Sequence, residues 1–337
     1  MRQKIVSADT YVFESARIRA LENRLIGRDA LERLMSAESL SRCAEELESL
    51  GVEVIRDPVS GEIDGERTLE RRLQNAYREV LSLTEQADFL KLWLYPYDCN
   101  NVKAVIKCRH RGVSADGMLF DFGSISLDAL REAADRGELD RLPAPFGEAA
   151  EEAARALTAT SDPQTVDLIL DRACYRGMTE LAKGCGVEFA LKLVECRIDL
   201  TNLMICLRRM RRADRYVREI LPREMFLEGG TLSYEYLSDL CREGEAYFWK
   251  RLEFSAYDKL AYRVGADASL GRAEQVADDL FMEQVRVAKS VPYGAEPLLG
   301  YLLGCEYEVK NLRILLLGYA NEPTRKSVWE RMRSSYV

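Results

Sequence analysis

Residues 95–112 read YPYDCNNVKAVIKCRHRG, and the same order of residue types returns at 196–212 (CRIDLTNLMICLRRMRR) and at 307–322 (YEVKNLRILLLGYANE). Each stretch carries an acid, an asparagine three residues later and then an aliphatic residue. The trios are Asp98, Asn101, Val102; Asp199, Asn202, Leu203; and Glu308, Asn311, Leu312. They recur at intervals of roughly 100 residues, as expected of a copied structural unit rather than a short local motif. An acid and an amide at i and i+3 share one helix face. Beside them Leu203, Leu207 and Met210, at i, i+4 and i+7, form an adjoining apolar stripe.

The flanks of the trios repeat as well. Gly123-Ser124-Ile125-Ser126 precedes a helix beginning near Leu127, and Gly230-Thr231-Leu232-Ser233 precedes one beginning near Tyr234. The last serine of each is a natural N-cap. In the third copy Asn321-Glu322-Pro323 takes that place, and Val328–Met332 opens the final helix. Upstream, Asp171 and Tyr175 match Asp258 and Tyr262, while the first copy keeps only Tyr77 of this pair.

The helical period extends through most of the 337 residues. In Thr68–Leu83 the apolar positions Leu69, Leu73, Tyr77, Val80 and Leu81 make one stripe. Residues 29–50 hold at least two short helices, with Ser36 or Ser39 as the cap between them. Gly51–Gly65 is a loop, and no alternating strand longer than about five residues stands out. Breakers cluster at Gly137–Gly147, and a weaker break falls near Arg242–Glu245. The chain therefore reads as all-α, in three helical repeats over 1–142, 143–245 and 246–337, the last shortened at its C-terminal end.

Composition excludes several classes of function. Hydrophobic residues make up 47% and charged residues 31%, the balance of a globular chain with a substantial core. A net charge of −8 offers no basic footprint for nucleic acid. No apolar run reaches membrane-spanning length, and the N-terminus has no secretory h-region, so a cytoplasm-facing protein is expected. Neither GxxxxGK[ST] nor GxGxxG occurs, and Lys183-Gly184-Cys185-Gly186 has the wrong order to cradle a phosphate. The nine cysteines are scattered without a CxxC pair, which points to free thiols rather than a zinc site or disulfide framework. His110 is the only histidine and sits between two arginines, so it receives no role. No cofactor, metal or catalytic residue is expected.

Two readings of the recurring acids compete. In one, each carboxylate and asparagine satisfies buried backbone groups or a neighbouring basic side chain, one solution used three times. In the other the acids are catalytic, yet an active site needs unlike groups converging on one pocket, not equivalent copies. The first is favoured. The dense run Arg208, Arg209, Arg211, Arg212, Arg215 and Arg218 is either a solvated face or a contact surface for an acidic partner or for anionic lipid headgroups. Arg208, Arg209 and Arg212 are the candidates for that contact.

The string Tyr11-Val12-Phe13-Glu14-Ser15-Ala16-Arg17-Ile18-Arg19-Ala20 leads directly into LENRLIG, and the chain closes on YEVKNLRILLLGYANEPTRKSVWERMRSSYV. With the triplicated trio between them, these resemble the C subunit of archaeal and bacterial V-type (A-type) ATPases, the counterpart of the eukaryotic d subunit. The resemblance runs from about Asp9 to Tyr336. It implies a funnel of three similar helical domains around a pseudo-threefold axis. It also implies a non-catalytic rotor part on the cytoplasmic face of the membrane. There the central stalk of D and F subunits would meet the membrane proteolipid ring, linking ATP hydrolysis or synthesis to H+ or Na+ transport. Met204 departs from the pattern, standing where the other copies have Lys103 and Arg313. The competing class is a helical-repeat scaffold unconnected with rotary ATPases.

Overall fold

In the computed structural model, residues 11–85, 87–212, 222–265, 268–320 and 325–337 are described. In chain order the helices are α1 (Val12–Glu22), α2 (Arg28–Ser36), α3 (Leu40–Ser49) and α4 (Gly65–Ser82). Then come α5 (Asp88–Lys91), α6 (Tyr95–Arg111), α7 (Leu127–Arg136), α8 (Gly147–Thr160), α9 (Pro163–Cys185), α10 (Glu188–Arg212) and α11 (Tyr234–Arg242). The last are α12 (Glu245–Leu252), α13 (Asp258–Val264), α14 (Leu270–Val285), α15 (Ala295–Ala320) and α16 (Arg325–Trp329). Among the described residues there is no β-strand; a single bridge joins Arg56 and Ile63 within the loop before α4. The all-α reading stands.

Two compact units form. One is built on Ala87–Glu245; the other combines Val6–Gln86 with Ala246–Val337. In the first, α9 packs against α6, α8 and α10. Asp162 begins α9 by accepting from the Gln164 N–H at 2.9 Å, with Pro163 supplying a preset φ in the first turn. Val166, Leu170, Ala173, Cys174, Met178 and Ala182 are buried along it at helical spacing. The breaker-rich Gly137–Gly147 is packed into this same unit, where Leu139, Leu142 and Phe146 are buried. Its prolines and glycines shape a folded crossing between α7 and α8.

In the second unit α15 lies against α1, α4 and α14. Leu298, Leu299, Leu302, Leu303, Cys305 and Leu312 are wholly buried, so this helix is apolar on several sides because its neighbours cover several sides. No helix of the described residues is long and apolar enough to cross a membrane.

Local chemistry sets the helix ends. Ser39, not Ser36, caps α3 by accepting from the Arg42 N–H, while the Ser36 hydroxyl turns back onto the Glu32 carbonyl. Ser126 caps α7 and Ser233 caps α11 in the same way. The final helix is placed earlier than expected: α16 ends at Trp329, and Met332 lies beyond it. Asn321-Glu322-Pro323 falls outside the described residues.

Candidate functional site

The recurring trio sits on α6, α10 and α15, and all six polar residues are buried: Asp98, Asn101, Asp199, Asn202, Glu308 and Asn311. Each asparagine clasps both backbone groups of a single residue. Asn101 donates to the Phe120 carbonyl and accepts from the Phe120 N–H, both at 2.9 Å. Asn202 does the same to Leu227, again at 2.9 Å twice. Asn311 grips Arg333, donating to its carbonyl at 2.9 Å and accepting from its N–H at 2.8 Å. The amide matches a peptide group donor for acceptor, so both backbone groups of a loop residue that is buried (Leu227) or half-buried (Phe120, Arg333) are paired.

The acids act on the chain just beyond. Asp98 accepts from the Ser124 N–H at 3.0 Å, the Ile125 N–H at 3.0 Å and the Ser124 hydroxyl. Asp199 accepts from the Thr231 N–H and the Leu232 N–H, both at 3.1 Å, and from the Thr231 hydroxyl. Burial pushes the Asp98 carboxyl above its ordinary value, opposed by the Ser124 and Ile125 donors. The glycine ahead of each turn now has a reason. A Cβ on Gly123 would stand 2.2 Å from Asp98 Oδ1, and one on Gly230 would stand 2.1 Å from Asp199 Oδ1. Only a glycine lets the backbone come this close to the carboxylate. Gly230→Ala should cost about 2 kcal/mol of stability through this overlap. Chemical denaturation of the full chain reads the loss, and a change below about 0.5 kcal/mol would mean that the turn relaxes freely.

The third copy keeps the asparagine clasp but turns its acid elsewhere. Glu308 accepts from the Ile26 N–H at 2.6 Å and pairs with Arg72 Nε of α4 at 2.7 Å. Burial works against the Arg72 charge, yet Glu308 outweighs it and raises the guanidinium pKa. The turn that the shorter C-terminal end must still hold is taken by Asp279, which accepts from the Ser334 N–H at 2.6 Å.

Position 103 and its equivalents carry charge where an acid faces them. Lys103 Nζ lies 2.6 Å from Asp171 on α9, and Arg313 Nη2 lies 3.1 Å from Glu66 on α4. Met204, at the matching place on α10, is buried. Asp258 and Tyr262 do not reproduce the Asp171 and Tyr175 arrangement: Tyr262 is 69% exposed, and Asp258 accepts from the adjacent Lys259 N–H. The carboxylate that braces α15 is Asp278 of α14, which pairs with Lys310 at 2.8 Å and with Arg333 at 3.1 Å. Sequence comparison between the copies missed it because α14 does not repeat the local pattern around Asp171.

Of the basic run, Arg208 is exposed and Arg209 half-buried on α10, and Arg211 Nε pairs with Glu245 at 3.1 Å. Arg215 and Arg218 fall outside the described residues, as does the side chain of Arg212. His110 lines a shallow cavity of about 280 Å³ with Val105, Arg109, Ala134, Glu151 and Leu157. Among the described residues no group of three or more His, Cys, Asp or Glu is placed to hold a metal ion. The recurring acids thus hold turns and helices in place.

Comparison with known proteins adds a family. The model of the ATP synthase (C/AC39) subunit family matches residues 15–327. The C subunit of the V-type sodium ATPase of Enterococcus hirae is 24% identical over 326 residues, covering 95% of this chain and 97% of that protein. The C subunit of the A-type ATP synthase of Methanocaldococcus jannaschii is 24% identical over 340 residues, covering 93% and 84%. That of Thermococcus gammatolerans is 24% identical over 339 residues, covering 96% and 90%.

Proposed function

The chain belongs to the ATP synthase (C/AC39) subunit family, and from that premise we propose that it is the non-catalytic rotor adapter of a V-type or A-type ATPase. It joins the central stalk of D and F subunits to the membrane proteolipid ring, at the cytoplasmic face, and passes torque between ATP turnover and H+ or Na+ movement. The family match over nearly the whole chain is the observation that carries this reading. Three helical repeats over 1–142, 143–245 and 246–337, arranged as a funnel, belong to the same proposal.

The physical design suits the task. A part that transmits torque must resist local shear, and close-packed helices whose connecting turns are clamped by buried polar groups deform little. Each clasp ties a loop to a long helix through several hydrogen bonds, which leaves few soft points. The stalk and ring surfaces call for polar, adaptable contacts, since a ring need not share the adapter's symmetry. Arg208, Arg209 and Arg212 at the end of α10 are the residues we assign to such a contact.

Charge reversal tests that assignment. Changing Arg208, Arg209 and Arg212 together to Glu should weaken binding to the stalk pair or to the ring by at least about tenfold at low salt. Unchanged affinity for both, in a variant of native helicity, removes this face from the interface. The adapter role itself is tested by assembling the ATPase with and without the chain. ATP hydrolysis by the soluble head should persist in both, whereas ion pumping should need the chain; pumping in its absence would refute the role.

A further inference from the structure

Asp199, Asn202 and Cys206 follow one another at i, i+3 and i+7 on α10, and all three face the segment that ends in α11. The first two hold the turn before α11. Cys206, fully buried, reaches α11 itself: its Sγ lies 3.6 Å from the Leu237 carbonyl oxygen. Leu237 and Cys241 are one helical turn apart, so their side chains share a face of α11. Cys241 therefore lies on the stretch of α11 that Cys206 reaches, and the neighbouring Cys241 thiol together with burial raises the Cys206 pKa. The repeat supplies an independent check. Counted from the trio and from the capping serine, the equivalents in the first copy are Val105 and Ala134, and both line the same small cavity among α6, α7 and α8. Here the two aliphatic groups are replaced by two thiols.

We propose that Cys206 and Cys241 are a redox-active pair that a small-molecule disulfide oxidises to an intramolecular disulfide, pinning α11 to α10 beneath the arginine face. Cys241 is half-buried and Cys206 is sealed, which fixes the order of events. The Cys241 thiolate attacks one sulfur of the oxidant R–S–S–R, breaking that bond and releasing R–S⁻. Cys206 then attacks the Cys241 sulfur and passes its proton to the departing sulfur, which leaves as R–SH, while the first R–S⁻ takes a proton from water. The sum is two protein thiols plus one disulfide giving one protein disulfide plus two small thiols. The Cys241 thiol and burial both hold the Cys206 thiol protonated, so exchange begins at Cys241. Cys99 and Cys174 are a second pair of neighbouring thiols, the Cys174 pKa being raised by Cys99 and by burial, but both are almost wholly buried and offer the oxidant no entry. They serve as the internal control.

The reduced full chain is incubated folded with oxidised glutathione, trapped with N-ethylmaleimide, digested with trypsin and read by mass spectrometry. The expected product joins peptides Ile198–Arg208 and Glu224–Arg242, disappears with dithiothreitol and is absent from Cys241→Ser. Its yield should exceed that of the Leu92–Lys103 to Ala173–Arg176 cross-link by about tenfold, because access to one thiol starts the exchange. The measurement on the wild-type chain stands whether or not the variant folds. A lasting glutathione adduct on Cys241 with no cross-link overturns the proposal. So do equal yields from the two pairs.

Discussion

Replacing Asp199 with alanine should lower the stability of the Ala87–Glu245 unit by about 3 kcal/mol, because it removes a fully buried acceptor from three part-buried hydrogen bonds at once. The carboxylate accepts two backbone N–H groups, of Thr231 and Leu232, and the Thr231 hydroxyl. Each of these part-buried donors left without its acceptor costs about 1 kcal/mol, the low end of the range for unsatisfied groups, and Gly230 packs so close to Oδ1 that a void replaces a contact. Asp199→Asn keeps one acceptor oxygen and should lose about half as much. Urea denaturation followed by far-ultraviolet circular dichroism measures both. A loss below about 1 kcal/mol for the alanine variant would mean that water replaces the carboxylate and that the turn is not held by it.

Removing Arg72 should be comparably damaging to the other unit. Glu308 has 2% of its side chain exposed and keeps, in Arg72→Met, only the Ile26 N–H against its charge. Breaking one side of a buried ion pair costs about 3–5 kcal/mol, since the remaining charge stays desolvated. Adding Glu308→Gln removes that charge and should recover at least about half of the loss. A double-mutant cycle on melting or denaturant midpoints gives the coupling directly. Strictly additive losses would show that the two residues stabilise the fold independently.

The trio was legible in the sequence because its members are three residues apart on one helix, and because Gly123-Ser124 and Gly230-Thr231 repeat their partners in order. The capping serines were legible for the same local reason. Glu308 looked equivalent to Asp98 and Asp199, yet its partners Ile26 and Arg72 come from the far N-terminal part of the chain. No local pattern announces a contact across that separation. Asp258 and Tyr262 show the opposite failure: the spacing matches, but α13 is short and turns Tyr262 to solvent, and Asp278 braces α15 instead. The thiol pair was missed because Cys206 and Cys241 lie on different helices. Only the alignment of the copies on Val105 and Ala134 could have brought them together.

The central claim is that one copy of this chain bridges stalk and ring, and native mass spectrometry tests it most directly. The full chain is mixed with the D–F stalk pair and the detergent-solubilised proteolipid ring, separately and together. The adapter reading predicts a complex with each, and a ternary assembly holding one copy of the chain, one stalk pair and one ring. A well-folded helical sample that binds neither partner would contradict it.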